Sequence, residues 1–301
     1  MISSLDPSTL NFLMGMNQIQ KRAERAQEEL TSGLKINNVS DAPDQIASLW
    51  QTRSDLAETQ QIDANLGRVK TETDTAEGAL QSAVTLVERA QTLGAQGASD
   101  TNNSQSRQDL AGELGAVLQQ LVATANTNVE GRYIFGGDDD QQQPYTIDLT
   151  QTSPISAYQG SSATRQVQSA DGSMFSVAKT AQDIFDTPDA QQSVFTTINN
   201  LRQALLNDDS TGINSALGDL QTAGTYLNQQ LAFYGTVQDR VAGSIDFAKN
   251  YETQLQTQLS GIQDADLTQS ITELQQAETA QQAALASRAK LPRTSLFDFL
   301  G

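Results

Sequence analysis

Neither histidine nor cysteine occurs in the 301 residues. Without cysteine there is no disulfide, no zinc–thiolate centre and no thiol nucleophile. Without histidine there is no Ser-His-Asp triad, no imidazole acid–base step and little to hold a transition metal, so neither catalysis nor a cofactor is expected. Aromatic residues make up 5% and hydrophobic residues 37% of the chain, which is enough for packed helices but thin for the single large core of an enzyme of this length. Positive charge is also scarce. Eighteen Lys and Arg stand against 36 Asp and Glu, a net charge of -18, and a polyanion of this kind is repelled by phosphate backbones and anionic bilayers, so no nucleic-acid or membrane partner is expected. No apolar run approaches the roughly 20 residues of a membrane helix, and the first 15 residues lack the basic start and apolar centre of a secretory signal, so export would use a route without a cleaved signal peptide.

What the chain does have is helical periodicity at both ends. Phe12, Met16, Ile19, Ala23, Ala26, Leu30 and Leu34 recur at steps of three and four. So do Leu227, Leu231, Tyr234, Val237, Val241, Ile245 and Ala248, followed by Leu255, Leu259 and Ile262. Each set forms a narrow stripe on one side of a helix, the width that a partner helix covers. The two sets read as halves of one coiled coil separated by most of the chain. Alone in water neither offsets the roughly 1–2 kcal/mol per residue that backbone ordering costs, so residues 1–30 and 268–301 are expected to be largely disordered in a free monomer.

Between the ends, the pattern predicts a helix closing near Gly33, a loop from Leu34 to Pro43 rich in Asn, Ser and Asp, and a long helix from Asp44 to about Gly97. A polar turn and a third helix with Leu110, Leu114, Val117, Leu121 and Ala125 complete a hairpin. At Gly131 the period shortens, and Tyr133–Phe135, Tyr145–Leu149, Ile155–Tyr158, Thr164–Val167 and Phe175–Ala178 read as short strands between turns. Helical spacing returns with Val194, breaks at Asn207 to Gly212 and resumes; Ile271, Leu274 and Leu285 carry a last apolar stretch. The expected fold is therefore mainly α with a small β-rich insert. Residues 1–43 form an assembly helix and loop, 44–130 a helical hairpin of a rod, 131–188 the insert, and 189–301 the returning rod helices and terminal assembly segment. The insert is expected to be a compact outer body, replaceable by a short linker.

Carboxylate clusters offer little chemistry. Asp138-Asp139-Asp140 lacks the alternation and closing Glu of a calcium loop and reads as a solvated turn. Asp264 and Asp266 diverge on a helix and read as a cap with first-turn acids. Trp50, one place off the Ile46 and Leu49 face, reads equally well as an interface residue or a packing residue.

The run Ala26 to Ala47, with Leu30-Thr31-Ser32-Gly33-Leu34-Lys35-Ile36-Asn37 at its centre, closely resembles the N-terminal signature of bacterial flagellins and their hook-associated relatives. Thr75-Ala76-Glu77-Gly78-Ala79-Leu80, Ile262-Gln263-Asp264-Ala265-Asp266 and Gln281-Gln282-Ala283 extend it over residues 1–130 and 190–301. Four segments resemble the hook–filament junction branch, the third class of hook-associated proteins. They are Gly131-Arg132-Tyr133-Ile134-Phe135-Gly136-Gly137, Tyr158-Gln159-Gly160 with Arg165 to Gln168, Asp183-Ile184-Phe185, and the ending Ser295 to Leu300. Ala42 departs from the pattern, where the family usually carries a second Asp. The resemblance implies an elongated helical bundle formed by the two chain ends. It implies a structural adapter on the bacterial flagellum, outside the cell, with a hook-side junction protein, flagellin and neighbouring copies in a ring as partners. It also implies the flagellar type III export apparatus and an export chaperone at the C-terminal region, and flagellin itself is the alternative reading. The residues implied at the assembly interface are Phe12, Met16, Ile19, Leu30, Leu34, Ile36, Leu255, Leu259, Ile262, Ile271, Leu274 and Leu285.

Overall fold

The computed structural model describes residues 7–99 and 103–290. The apolar ending Ser295 to Leu300 lies outside the described residues. The elements run α1 (Pro7–Ser32), α2 (Ile46–Gly97), α3 (Ser104–Ala125), β1 (Asn128–Val129), β2 (Arg132–Tyr133), β3 (Gln166–Gln168), β4 (Met174–Ser176), α4 (Ala181–Phe185), α5 (Val194–Leu206), α6 (Ser210–Gln263) and α7 (Leu267–Lys290). By contact the chain divides into two compact units, residues 1–58 with 252–301 and residues 59–251, the division falling inside α2 and α6.

In the unit of residues 59–251, heptad-like steps along α2 bury Ala76, Leu80, Ala83, Val87, Ala90 and Leu93, and α6 answers with Ile213, Leu220, Ala223, Leu227 and Tyr234. Small residues alternate with large ones, so the facing layers can interdigitate at native packing density. Gln91 Nε2 donates to the Leu220 carbonyl, and Gln238 Nε2 reaches Glu77 and Asp74, so here the two helices run antiparallel. α3 packs on α5, contributing Leu114, Leu118 and Leu121 against Ile198, Leu201 and Leu205. α3 is capped by Asn103, whose side chain accepts from Ser106 N at 2.8 Å, and α5 by Ser193, whose hydroxyl accepts from Thr196 N at 3.2 Å. The cap of α5 is Ser193, a residue type favoured at helix starts.

Regular strand pairing is sparser than the period of the middle segment suggests. β1 pairs with β2 and β3 with β4, both antiparallel, and Ile147 bridges Ile155. Asp183-Ile184-Phe185 is helical, in α4, which opens on a capping box between Thr180 and Asp183. The larger departure concerns where the segment sits. Phe135, Tyr145, Ile184 and Phe185 are fully buried in the same core as α2, α3, α5 and α6. The Phe135 ring meets those of Phe185 and Tyr234 edge-on at 6.1 and 6.2 Å, and Tyr145 meets Phe195 at 5.1 Å. Residues 131–188 are therefore not a separate outer body: Phe135, Tyr145 and Phe185 lie in the same core as the long helices. A second cluster joins Leu66 and Val69 of α2 and Val237 and Val241 of α6 to Phe175 and Val177, with the Arg240 guanidinium 4.2 Å over the Phe175 ring.

Polar contacts hold these rings in place. Asn126 is bonded twice to the Tyr145 backbone, donating to its carbonyl at 2.8 Å and accepting from its N–H at 3.0 Å. The Tyr158 hydroxyl donates to the Phe135 carbonyl at 3.0 Å. Gly136-Gly137 has a steric cause: Gly137 has φ +68°, and a Cβ there would lie 2.1 Å from the Ser161 carbonyl oxygen, so only glycine fits.

Burial, the largest cause in each case, pushes the Tyr158 phenol up to about 12 and those of Tyr145 and Tyr234 higher still. Their folded-state values lie above the unfolded value of roughly 10, so the core holds the neutral phenols. The stability this represents is fully present below pH ~10 and is lost as pH rises through and beyond 12. In a titration followed at 295 nm, these three of the six tyrosines should ionise only as the helical signal collapses. A single early step carrying all six phenols in a folded chain would refute this.

Candidate assembly interface

In the unit of residues 1–58 and 252–301, α1 packs on α7. Pro at the first position of α1 suits a helix start, where its missing N–H is no loss. The two helices run antiparallel: near one end the Arg288 guanidinium donates to Thr9 Oγ1 at 2.7 Å and lies 5.4 Å over the Phe12 ring, and near the other Ser270 Oγ donates to Glu29 Oε2 at 2.7 Å. Ala26, Ser270 and Ala277 are buried between them, small residues that let two backbones approach. α1 thus packs along α7, a pairing that the sequence periodicity did not single out. α7 itself starts at a cap, since Asp266 Oδ1 accepts from Thr268 N and Gln269 N.

The twelve residues expected at the interface fall into three groups. Ile36 and Leu255 are 4% and 3% exposed and belong to the interior of this unit. Phe12, Met16, Ile19, Leu30, Leu34, Leu259, Ile262 and Leu274 are half-buried. Ile271 and Leu285 are 47% and 53% exposed. Following one stripe missed Leu10, Leu13 and Met14 as a set; these are exposed on α1, on the side away from Phe12 by helical geometry. Their i, i+3, i+4 spacing was the available signal. Leu267 of α7 is also exposed, as is Trp50 at 64%.

A polar cleft of about 640 Å³ opens in the same unit, lined by Arg22, Arg25, Lys35, Asp41, Asp266 and Glu273 among others. Its charges are of both signs and several already have partners: Arg25 faces Glu29 at 3.4 Å, and Asp41 accepts from the backbone N–H groups of Asn37 and Asn38. In the other unit, Asp140 is held below the usual carboxylate range by a hydrogen bond from Gln141 and by Arg132. It is a turn residue paired with Arg132 of β2. Among the described residues no group of three or more Asp, Glu, His or Cys is placed to hold a metal ion, and no helix is long and apolar enough to cross a membrane.

Comparison with known proteins agrees with this geometry. Residues 4–140 match the family model of the bacterial flagellin N-terminal helical region, and residues 217–300 that of the bacterial flagellin C-terminal helical region. The flagellin of Halalkalibacterium halodurans is 24% identical over 277 residues, 92% of this chain and 90% of that protein. A flagellin of Clostridium tyrobutyricum is 31% identical over 117 residues, and there the match spans 39% of this chain and 31% of the relative. Among solved structures, a protein of Vibrio parahaemolyticus described as flagellar hook-associated superposes with a TM-score of 0.65 at 16% identity, over 74% of this chain and all of that one. Flagellar hook-associated protein 3 of Legionella pneumophila gives 0.60 at 15% identity, over 72% of this chain and 99% of the other. The two solved structures share this chain's fold. Matched at both ends by the two flagellin models, the chain belongs to the flagellin superfamily.

Proposed function

We propose that the chain is a structural adapter joining the flagellar hook to the flagellin filament, with the α1–α7 pair as its assembly end. The observation that carries this is the set of exposed apolar residues on those two helices, Leu10, Leu13, Met14, Leu267, Ile271 and Leu285, on elements drawn from opposite ends of the chain. By the Thr9–Arg288 contact, Leu10, Leu13, Met14 and Leu285 fall at the same end of the helix pair, and a group of exposed apolar residues there calls for a covering partner. Head-to-tail contacts that do not close on themselves let one subunit seat on a layer below and receive one above. The partners on this reading are a hook-side junction protein, flagellin and neighbouring copies in a ring, reached by type III export with a chaperone bound at the C-terminal region, and the site of action is outside the cell. The likeness in fold to hook-associated proteins supports it.

A second reading, flagellin itself, is favoured by the alignment with the Halalkalibacterium halodurans flagellin over 92% of the chain. Seeding separates the two. Purified protein added to short filament fragments should add one terminal layer and stop; elongation without limit would assign it as the filament subunit.

A further inference from the structure

The last four carbonyls of an α-helix have no donors within the helix. At the end of α6, Ser260 O accepts from Asp264 N at 2.9 Å, but the next partners come from the opposite end of the chain. Lys35 N donates to Gln263 O at 2.7 Å, Lys35 Nζ to Gly261 O at 3.1 Å, and Arg53 Nη2 to Gln263 Oε1 at 2.6 Å. The residues that follow α6 are Asp264, Ala265 and Asp266. They carry no side-chain donor, and two bear negative charge beside the negative end of the helix dipole, so the two cations supplied from residues 35 and 53 answer a local deficit.

The contact is returned. Gly33, at φ +73°, ends α1 by donating its N–H to the Glu29 carbonyl at 2.8 Å, a left-handed turn suited to glycine. That turn aims the Gly33 carbonyl at Ala265 N, which donates to it at 2.9 Å, and Leu34 and Asp264 pair as an isolated antiparallel bridge.

We infer that the turn Gly33–Lys35 is the C-terminal cap of α6, and that this clasp couples the ordering of the chain's two ends. Loosening the turn after α1 leaves carbonyls of α6 unpaired and frees the start of α7; loosening the α6–α7 turn releases Gly33 in the same way, since coupling between two sites is reciprocal. The inference rests on hydrogen bonds within one unit and is independent of any role at the junction.

Amide exchange on the full-length chain tests it, read at Lys35, Ala265 and the first turn of α7. Lys35→Met removes the ammonium but keeps the backbone donor, and should accelerate exchange of Asp264 to Ser270 about tenfold, the scale of one charged hydrogen bond. Gly33→Val, strained at positive φ, should accelerate both Gly33 to Asn38 and Asp264 to Ser270, with residues 76–125 unchanged. Arg288→Ala, at the far end of the α1–α7 contact, should leave Asp264 to Ser270 as they are, which separates the clasp from general loss of helix packing. Acceleration confined to the N-terminal side in both clasp variants would overturn the inference, as would unprotected Lys35 and Ala265 amides in the unsubstituted chain or an equal response to Arg288→Ala.

Discussion

Phe135→Ala should lower the unfolding free energy of the unit of residues 59–251 by about 3–5 kcal/mol, the range for emptying a fully buried aromatic site. The ring is 0% exposed and packs edge-on against two others, from α4 and α6, so no neighbour can close the space without moving a helix. The loss should appear in urea unfolding as a lower midpoint for both the helical signal and the single Trp50 only if the two units unfold together; a shift in the helical signal alone would mean that they do not. By the same argument, exchanging residues 131–188 for a Gly/Ser linker should unfold this unit rather than leave a working rod, because Tyr145, Ile184 and Phe185 go with it. A cost under about 1 kcal/mol for Phe135→Ala would show that the core does not depend on this segment.

Leu255→Asp and Leu285→Asp should have opposite signatures. Leu255 is 3% exposed, so the substitution forfeits roughly 1.5–3 kcal/mol of burial and adds several more for an unpaired carboxylate. The variant should be destabilised as a monomer, before any assembly. Leu285 is 53% exposed, and an aspartate there should cost the monomer no more than about 0.5 kcal/mol. At a subunit contact it would meet the same desolvation, repeated at each copy. Cells carrying Leu285→Asp should therefore export the protein yet release unattached flagellin into the medium. Normal filaments with little released flagellin would remove Leu285 from the interface, and an undiminished melting temperature for Leu255→Asp would contradict its place in the interior.

Much of this architecture could be read from residue spacing. Gly33 after the first stripe, the polar turn before Ser104, the return of helical period at Val194 and the break after Leu206 all mark element ends in the structure. Those signals are local: a left-handed glycine, an Asn or Ser cap, or a change of apolar period acts through neighbours a few residues away. The α4 turn was less legible because five residues give too short a window for a helical period. The residues expected at the interface range from buried to exposed, since a stripe records which side of a helix wants cover and says nothing of what covers it. Leu255 and Leu285 look alike in sequence, and they differ only in what stands beside them.

The sequence by itself determined that the chain has no thiol or imidazole, where its long helices lie and to which family its two ends belong, because composition, periodicity and a 22-residue signature from Ala26 to Ala47 need no knowledge of distant neighbours. Tertiary structure alone decided that α1 pairs with α7, that the aromatic rings of the middle segment complete the core of the helices around it, and that Lys35 caps a helix ending 228 residues later, at Gln263. Each of those depends on chain segments far apart in sequence arriving together, and the free energy that selects one partner over another lies in buried area and paired backbone groups that exist only once the chain has folded.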